Sequence, residues 1–164
     1  MEVENKVFNK LDEIGISYNY IEHPPAFTTE EADKFIEGYE GVRTKTLFLR
    51  NRKKKKFYLI IMDDKKRVNI KELENLLEDK GLGFCSDDLL DKKMKLKPGS
   101  VSIFGLMNND EKDINVIFDE DVINEETFTF HPNINTITLF IKKDDMIKFV
   151  ESEGYDYKIL KIPE

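Results

Sequence analysis

The segments Thr46-Leu47-Phe48-Leu49 and Phe57-Tyr58-Leu59-Ile60-Ile61-Met62 decide the fold of this 164-residue chain. Both are short apolar runs, and the basic stretch Arg52–Lys56 separates them. Apolar runs of this length on either side of a polar turn are typical of a β-hairpin. The sequence therefore predicts two antiparallel strands that are joined at the basic turn.

Outward from this hairpin, apolar residues recur at either helical or strand spacing. Helices are predicted over 3–14, 28–36, 69–77 and 144–150, with a short one after Ser86. Strands are predicted over 17–22, 82–85, 115–118, 127–130, 136–141 and 155–162, and 96–109 is predicted to be a loop. Intermixed elements with hairpin neighbours indicate the α+β class. We expect a mixed, largely antiparallel sheet of about seven strands with helices packed around it.

Length and composition predict a single cytoplasmic domain over residues 1–164. The hydrophobic fraction of 40% is ordinary for a globular chain. Cys85 is the only cysteine, so no internal disulfide can form, which suits a reducing compartment. The start, Met1-Glu2-Val3-Glu4-Asn5, does not resemble a signal peptide. No apolar run approaches the roughly 20 residues that span a bilayer, so no membrane contact is expected.

The charge distribution leaves two interpretations open. A net charge of −7 argues against a general nucleic-acid coat protein. Residues 43–56 nevertheless contain eight basic side chains and no acidic one, and Lys92, Lys93, Lys95 and Lys97 form a second basic group. The simpler interpretation of Arg52–Lys56 is a solvated turn. The alternative is a local contact with one end of a nucleic acid.

Several common chemistries are excluded by the absence of their motifs. His23, His131 and Cys85 do not have metal-ligand spacing, so no metal site is expected. Nucleotide-binding glycine motifs and a Gly-x-Ser-x-Gly elbow are absent. Cys85 follows the apolar residues Leu82-Gly83-Phe84, which favours a core residue over a nucleophile. We therefore expect no cofactor.

Three polar features remain in otherwise apolar surroundings. They are Lys45 before a strand, the loop Lys97-Pro98-Gly99-Ser100-Val101-Ser102-Ile103-Phe104-Gly105-Leu106, and Phe130-His131-Pro132-Asn133-Ile134-Asn135-Thr136 between two strands. Each feature alone has an ordinary explanation as a surface lysine, a connection or a turn.

Taken in order, these segments resemble the YbaK/ProX family of aminoacyl-tRNA deacylases, the free-standing relatives of the editing domain of bacterial prolyl-tRNA synthetase. The matching pieces are Glu22–Thr28, Lys45–Arg50, Pro98–Ser102 with Phe104-Gly105-Leu106, and Phe130-His131-Pro132 with Asn135-Thr136. Their spacing is more similar to the branch that clears alanine from tRNA(Pro) than to the branch that clears cysteine. One position departs from the family pattern, because Ile103 stands where the loop usually has proline.

The resemblance implies hydrolysis of a mischarged tRNA(Pro) and a set of site residues. Backbone N–H groups of the loop from Gly99 to Gly105 would bind the oxyanion, since glycine allows close approach. Lys45 would hold the terminal phosphate or the ester end, and His131 would orient the loop or relay a proton. The expected substrate contacts are Phe27, Thr28, Thr46, Ser100, Ser102, Ile103, Phe104 and Asn135, of which Phe27, Ile103 and Phe104 would set the pocket volume.

The implied partners are the acceptor end of tRNA(Pro) carrying a small amino acid and, beyond it, prolyl-tRNA synthetase. Three alternatives stay open from the sequence. The protein could deacylate Cys-tRNA(Pro), or be a non-catalytic module that binds tRNA or a synthetase, or be a structural domain without a ligand.

Overall fold

The computed structural model describes residues 3–164. The helices are α1 (Val3–Glu13), α2 (Thr29–Phe35), α3 (Ile70–Leu77), α4 (Asp87–Met94), α5 (Glu120–Ile123), α6 (Lys143–Ser152) and one 3₁₀ helix, η1 (Ile103–Asn108). The strands are β1 (Tyr18–Glu22), β2 (Val42–Arg50), β3 (Phe57–Asp63), β4 (Gly83–Phe84), β5 (Ile114–Asp119), β6 (Thr127–Phe130), β7 (Ile137–Lys142) and β8 (Tyr157–Leu160). Met1 and Glu2, part of the stretch that argues against a signal peptide, lie outside the described residues.

The strands form one mixed sheet in the order β1-β7-β6-β2-β3-β5-β8, and β4 pairs separately with β2. The pairs β1/β7, β6/β7, β2/β3 and β2/β4 are antiparallel, whereas β2/β6, β3/β5 and β5/β8 are parallel. The predicted α+β class and its mixed, largely antiparallel sheet are confirmed. The predicted hairpin is also confirmed, since Thr46 pairs with Ile61 and Phe48 with Leu59.

Strand β3 is buried on both faces, which explains its unbroken apolar sequence. Phe57, Leu59 and Ile61 point into the larger core, which α1, η1, α6 and β5–β7 help to fill. Tyr58, Ile60 and Met62 point into a smaller core with Leu73 of α3. Residues 52–56 lie exposed at the hairpin turn, which fits both interpretations of the basic stretch.

Three elements differ from the sequence prediction. The predicted loop over 96–109 contains η1, because Ser102 caps it and its apolar side chains turn into the core. Helix α5 was not predicted, and it is short and capped by Asp119. The last strand is shorter than predicted because Tyr155 is instead buried, and its hydroxyl donates to Asn109 Oδ1 at 2.8 Å.

Candidate functional site

Strand β2 has an unpaired stretch along one edge, and this gap positions the site. On that edge β6 pairs only with Val42 and Arg43, and β4 pairs only with Leu49 and Arg50. The sheet is therefore open on either side of Thr46, between two strands that are far apart in sequence.

Successive residues of β2 direct their main-chain N–H and C=O groups alternately to one edge of the strand and to the other. The N–H and C=O groups of Thr46 therefore point into this gap. The Arg43 C=O accepts from Asp64 N–H at 2.9 Å, so odd-numbered residues of β2 bond towards β3. The Phe48 C=O accepts from Cys85 N–H at 3.1 Å, so even-numbered residues bond towards the opposite edge. Thr46 lies on that edge, midway between the two partner strands. Within residues 3–164, its N–H and C=O have no main-chain partner.

A cavity of about 370 Å³ occupies the gap. It lies at the lower end of the roughly 300–1,000 Å³ usual for small-ligand sites. Its walls come from Ala26, Phe27, Thr28, Thr29, Thr44, Lys45, Thr46, Leu47, Phe48, Phe84, Cys85, Asp87, Leu90, Pro98, Gly99, Val101, Ser102, Phe130 and His131. All three polar features of the sequence therefore contribute to one cavity.

Lys45 lines this cavity as a half-buried cation. Strand alternation sends its side chain to the face opposite that of Thr46 and Phe48. Residues from both faces can line the cavity because the edge of β2 is open. Among residues 3–164, no carboxylate lies within 4.0 Å of the Lys45 ammonium. Its positive charge is therefore available to an anionic group.

The loop before η1 uses several of its own N–H donors internally. Ser100 N–H donates to Lys97 C=O, and Gly105 N–H donates to Ser102 C=O, both at 3.0 Å. Phe104 N–H donates to Ser102 Oγ at 3.0 Å. Of the loop residues that line the cavity, Gly99, Val101 and Ser102 have N–H groups for which residues 3–164 supply no such bond. Gly99 has φ +84°, a conformation that favours glycine.

Ile103, Phe104 and Gly105 lie outside the cavity wall, which corrects the expectation that they contact the substrate directly. Ile103 and Phe104 are buried in the larger core, and the Phe104 ring packs edge-on against Phe149 at 5.0 Å. A Cβ at Gly105 would overlap Met94 Cε of α4. These residues fix the loop to the core, because their apolar surface is worth more inside than at a polar cavity. Ser100 is also outside the lining.

Asn135 holds a wall of the cavity without lining it. Its Nδ2 donates to Ala26 C=O at 3.1 Å, and Ala26 N–H donates to Asn135 C=O at 3.0 Å. Thr28 does line the cavity, and its Oγ1 caps α2 by accepting from Glu31 N–H at 3.1 Å. Phe27 is 77% exposed, so it forms part of the cavity mouth.

His131 follows β6 and lines the cavity as a neutral imidazole. Its Nδ1 donates to the Ile137 carbonyl at 3.0 Å, because a carbonyl can only accept. Burial lowers the pKa of His131, chiefly by disfavouring the charged ring. The neutral ring therefore keeps Nε2 as an acceptor.

Cys85 and Phe84 were missed as cavity residues. Cys85 packs against the larger core, as predicted, but also lines the cavity. Burial raises the pKa of its thiol to about 12, so it is protonated near neutral pH and unsuited to nucleophilic attack. The local sequence feature that could have indicated their position is the helix cap at Ser86, which places both residues at a strand-to-helix junction.

Two carboxyl groups share a smaller cavity behind His131. Asp33 and Asp64 both line this space of about 20 Å³. Burial, followed by the hydrogen bond and the charge of Asp33, raises the pKa of Asp64 to about 8. Two adjacent carboxylates repel each other, so near neutral pH they hold one proton between them.

We expect Asp64→Asn to flatten the pH dependence of stability. The folded-state pKa of Asp64 lies above its ordinary value of 3.8, so wild-type stability falls as pH rises from about 4 to 8. The amide cannot ionise, and the variant should melt several degrees above wild type at pH 8. Thermal melts from pH 5 to 8 would measure this, with exposed Asp110→Asn as control. Parallel wild-type and variant curves would contradict the shared proton.

An open strand edge, a lone cation and free loop amides around one cavity are typical of an enzyme's ligand site. Comparison with known proteins identifies the family to which this enzyme belongs. The model of the aminoacyl-tRNA editing domain matches residues 23–149. The chain therefore belongs to the aminoacyl-tRNA editing domain family, whose members are deacylases, and it is a hydrolytic enzyme.

Individual relatives agree with this membership. The chain is 34% identical over 163 residues to the prolyl-tRNA editing protein ProX of Acetoanaerobium sticklandii, covering 99% of each chain. It is 28% identical to the prolyl-tRNA synthetase associated domain-containing protein 1 of Mus musculus, covering 97% of this chain and 96% of the relative. A solved structure described as a candidate trans-editing enzyme for prolyl-tRNA synthetase superposes with a TM-score of 0.76 at 15% identity, over 100% and 98% of the two chains, and shows the shared fold. Over residues 3–164, no helix combines the length and apolar character needed to cross a bilayer.

Proposed function

We propose that this protein is a trans-editing deacylase that removes alanine from mischarged tRNA(Pro). The observation that carries the proposal is the convergence of Lys45, the loop 98–102 and His131 on one cavity. The relative named as a prolyl-tRNA editing protein supports the choice of tRNA.

The cavity supplies the groups that ester hydrolysis needs. A water molecule adds to the ester carbonyl carbon, and the carbonyl oxygen becomes an oxyanion. In this proposal the N–H groups of Gly99, Val101 and Ser102 stabilise that charge; the three residues line the cavity, and their N–H groups have no main-chain partner within residues 3–164. The bond to the ribose oxygen then breaks, and that oxygen takes a proton, which releases alanine and uncharged tRNA.

Lys45 and His131 have supporting roles in this proposal. The unpaired Lys45 ammonium binds the terminal phosphate or the ester end as a point charge. His131, held by the Ile137 carbonyl, orients the loop side of the cavity, and its neutral Nε2 can accept a hydrogen bond from water. Because an ester is an activated acyl group, water held in place can attack without a protein nucleophile.

A separate editing enzyme is needed because a pocket built for proline cannot exclude alanine by size. One missing methylene changes binding by only about 1–3 kcal/mol, whereas a second, smaller pocket can reject the larger amino acid. The partners in this proposal are the acceptor end of tRNA(Pro) and prolyl-tRNA synthetase, which the names of several relatives mention.

Hydrolysis of Ala-tRNA(Pro), Cys-tRNA(Pro) and Pro-tRNA(Pro) by the purified protein tests this function. We expect the alanyl ester to be cleaved at least about 10-fold faster than the others, since hydrophobic pockets separate such side chains by about 10–200-fold. Faster cleavage of the cysteinyl ester would assign the alternative substrate. Tight binding of charged tRNA with an intact ester would instead assign a non-catalytic module.

A further inference from the structure

Phe84 is an exposed aromatic side chain at the rim of the catalytic cavity. It is 58% exposed and lines the cavity, whereas most other phenylalanines of the described chain are buried. A single exposed apolar side chain is ordinary on a protein surface, but the ring of Phe84 also forms part of the cavity wall. The exposed ring is therefore a candidate ligand contact.

Strand pairing and hydrogen bonds fix the backbone on both sides of Phe84, so the position from which its ring extends is also fixed. Phe84 pairs with Leu49, and the next residue, Cys85, donates its N–H to Phe48 C=O at 3.1 Å. On the other side, Arg50 Nη1 donates to Gly81 C=O at 2.9 Å and lies close against Gly83. A fixed backbone lowers the conformational entropy that a bound partner would otherwise have to remove.

The cavity is larger than an alanyl group requires. Its 370 Å³ would leave most of the space empty if only a methyl side chain and an ester entered. The ester of a charged tRNA is attached to the terminal ribose, so the attached base must lie next to the cavity. Phe84 and Phe27 are the exposed aromatic residues of the described cavity lining.

A cation lies near Phe84. The Arg50 guanidinium lies beside Gly83, the neighbouring residue. Lys93 is buried and paired with Glu111 and Asp113, so its charge is not available to a ligand, and Asp87 contributes an acidic group to the same cavity. An aromatic face next to a cation is a combination that single-stranded nucleic-acid sites use.

We infer that Phe84 is the stacking platform for the terminal nucleobase of the tRNA acceptor end. This inference rests on the proposed function and assigns it a substrate-binding residue. The flat face of the base lies on the exposed phenyl ring, the ribose reaches inwards past Cys85, and the aminoacyl ester meets the loop amides. Stacking on an aromatic ring is possible for every base, but it is lost when the nucleotide has no base.

The test compares RNA minihelices that end either in adenosine or in a base-free ribose. Uncharged minihelices are titrated against wild type, Phe84→Ala and Phe84→Tyr, and alanylated ones are used for kinetics. For the adenosine end, we expect Phe84→Ala to raise Kd and KM about 10-fold with little change in kcat, within the range known for base–aromatic stacking. Phe84→Tyr should restore both values, and the base-free minihelix should bind wild type and Phe84→Ala equally.

Tyr20→Ala is the matched control, because Tyr20 is a 51% exposed aromatic residue of β1 outside the cavity lining. An equal loss for both minihelices would mean that Phe84 only shapes the cavity, and no loss for either would remove it from binding. Either result overturns the inference. Since binding is measured without an ester, base-dependent binding with no hydrolysis would instead reject the proposed function alone.

Discussion

Replacement of Lys45 by alanine is expected to lower kcat/KM for hydrolysis of Ala-tRNA(Pro) by about 100-fold, because the loss of one partner from a partly buried charge contact costs about 2–5 kcal/mol. Lys45 is half-buried in the cavity wall and has no ion-pair partner within the described chain. Its pairing in β2 uses main-chain groups, so the sheet should survive the change. Single-turnover deacylation with enzyme well below its Kd for the charged tRNA would measure the loss.

Lys71→Ala is the matched control, because Lys71 is an exposed lysine on α3, outside the cavity lining. It should leave the rate within about twofold of wild type. Circular dichroism and thermal melting should show that both variants keep the native fold. Equal rates for Lys45→Ala and wild type would exclude this lysine from the mechanism.

Gly105→Ala is expected to destabilise the protein by about 1–3 kcal/mol through overpacking, without acting on the chemistry. The new methyl would overlap Met94 Cε and lie 2.8 Å from Leu96 Cδ1, and both side chains are buried. For a chain of this length, the melting temperature should fall by roughly 2–4 °C per kcal/mol. Urea denaturation with an unchanged m-value would identify a change of stability alone.

Gly83→Ala is a suitable comparison because its Cβ would also be crowded, at 2.8 Å from Arg50 Nη1. That neighbour is the end of a half-buried side chain, which can move aside at the expense of its hydrogen bond to Gly81 C=O. We expect less than half the loss seen for Gly105→Ala. A neutral Gly105→Ala would show that the contact between η1 and α4 is looser than the structure indicates.

Local sequence signals were sufficient to predict most of the elements. The apolar runs on either side of Arg52–Lys56 specify the hairpin, and Asn69 and Ser86 cap the helices that the sequence predicted there. The predicted loop over 96–109 was wrong in part, because its small polar residues come first and the apolar residues of η1 follow. A 3₁₀ helix has poorer hydrogen-bond geometry than an α-helix, so η1 depends on tertiary burial more than on local preference.

The sequence motifs identified several residues of the cavity but were not sufficient to predict its complete lining. Lys45, Gly99, Ser102 and His131 do line it, and their catalytic roles stay predictions. Gly105 appeared from the sequence to be an oxyanion donor, whereas its N–H is bonded to Ser102 C=O. Phe84 was missed because its exposure follows from the pairing of β4 with β2, a contact between segments that no periodicity reveals.

The open edge of β2 also has a consequence for the stage of folding at which the cavity forms. Strands β4 and β6, which border the gap, lie about 35 and 85 positions further along the chain than their partners on β2. Pairings between such distant segments form late in folding because closing a long loop has a large entropic cost. The cavity therefore has no local precursor and forms only once both long-range pairings are complete. A chain in which either pairing is open therefore lacks an assembled cavity.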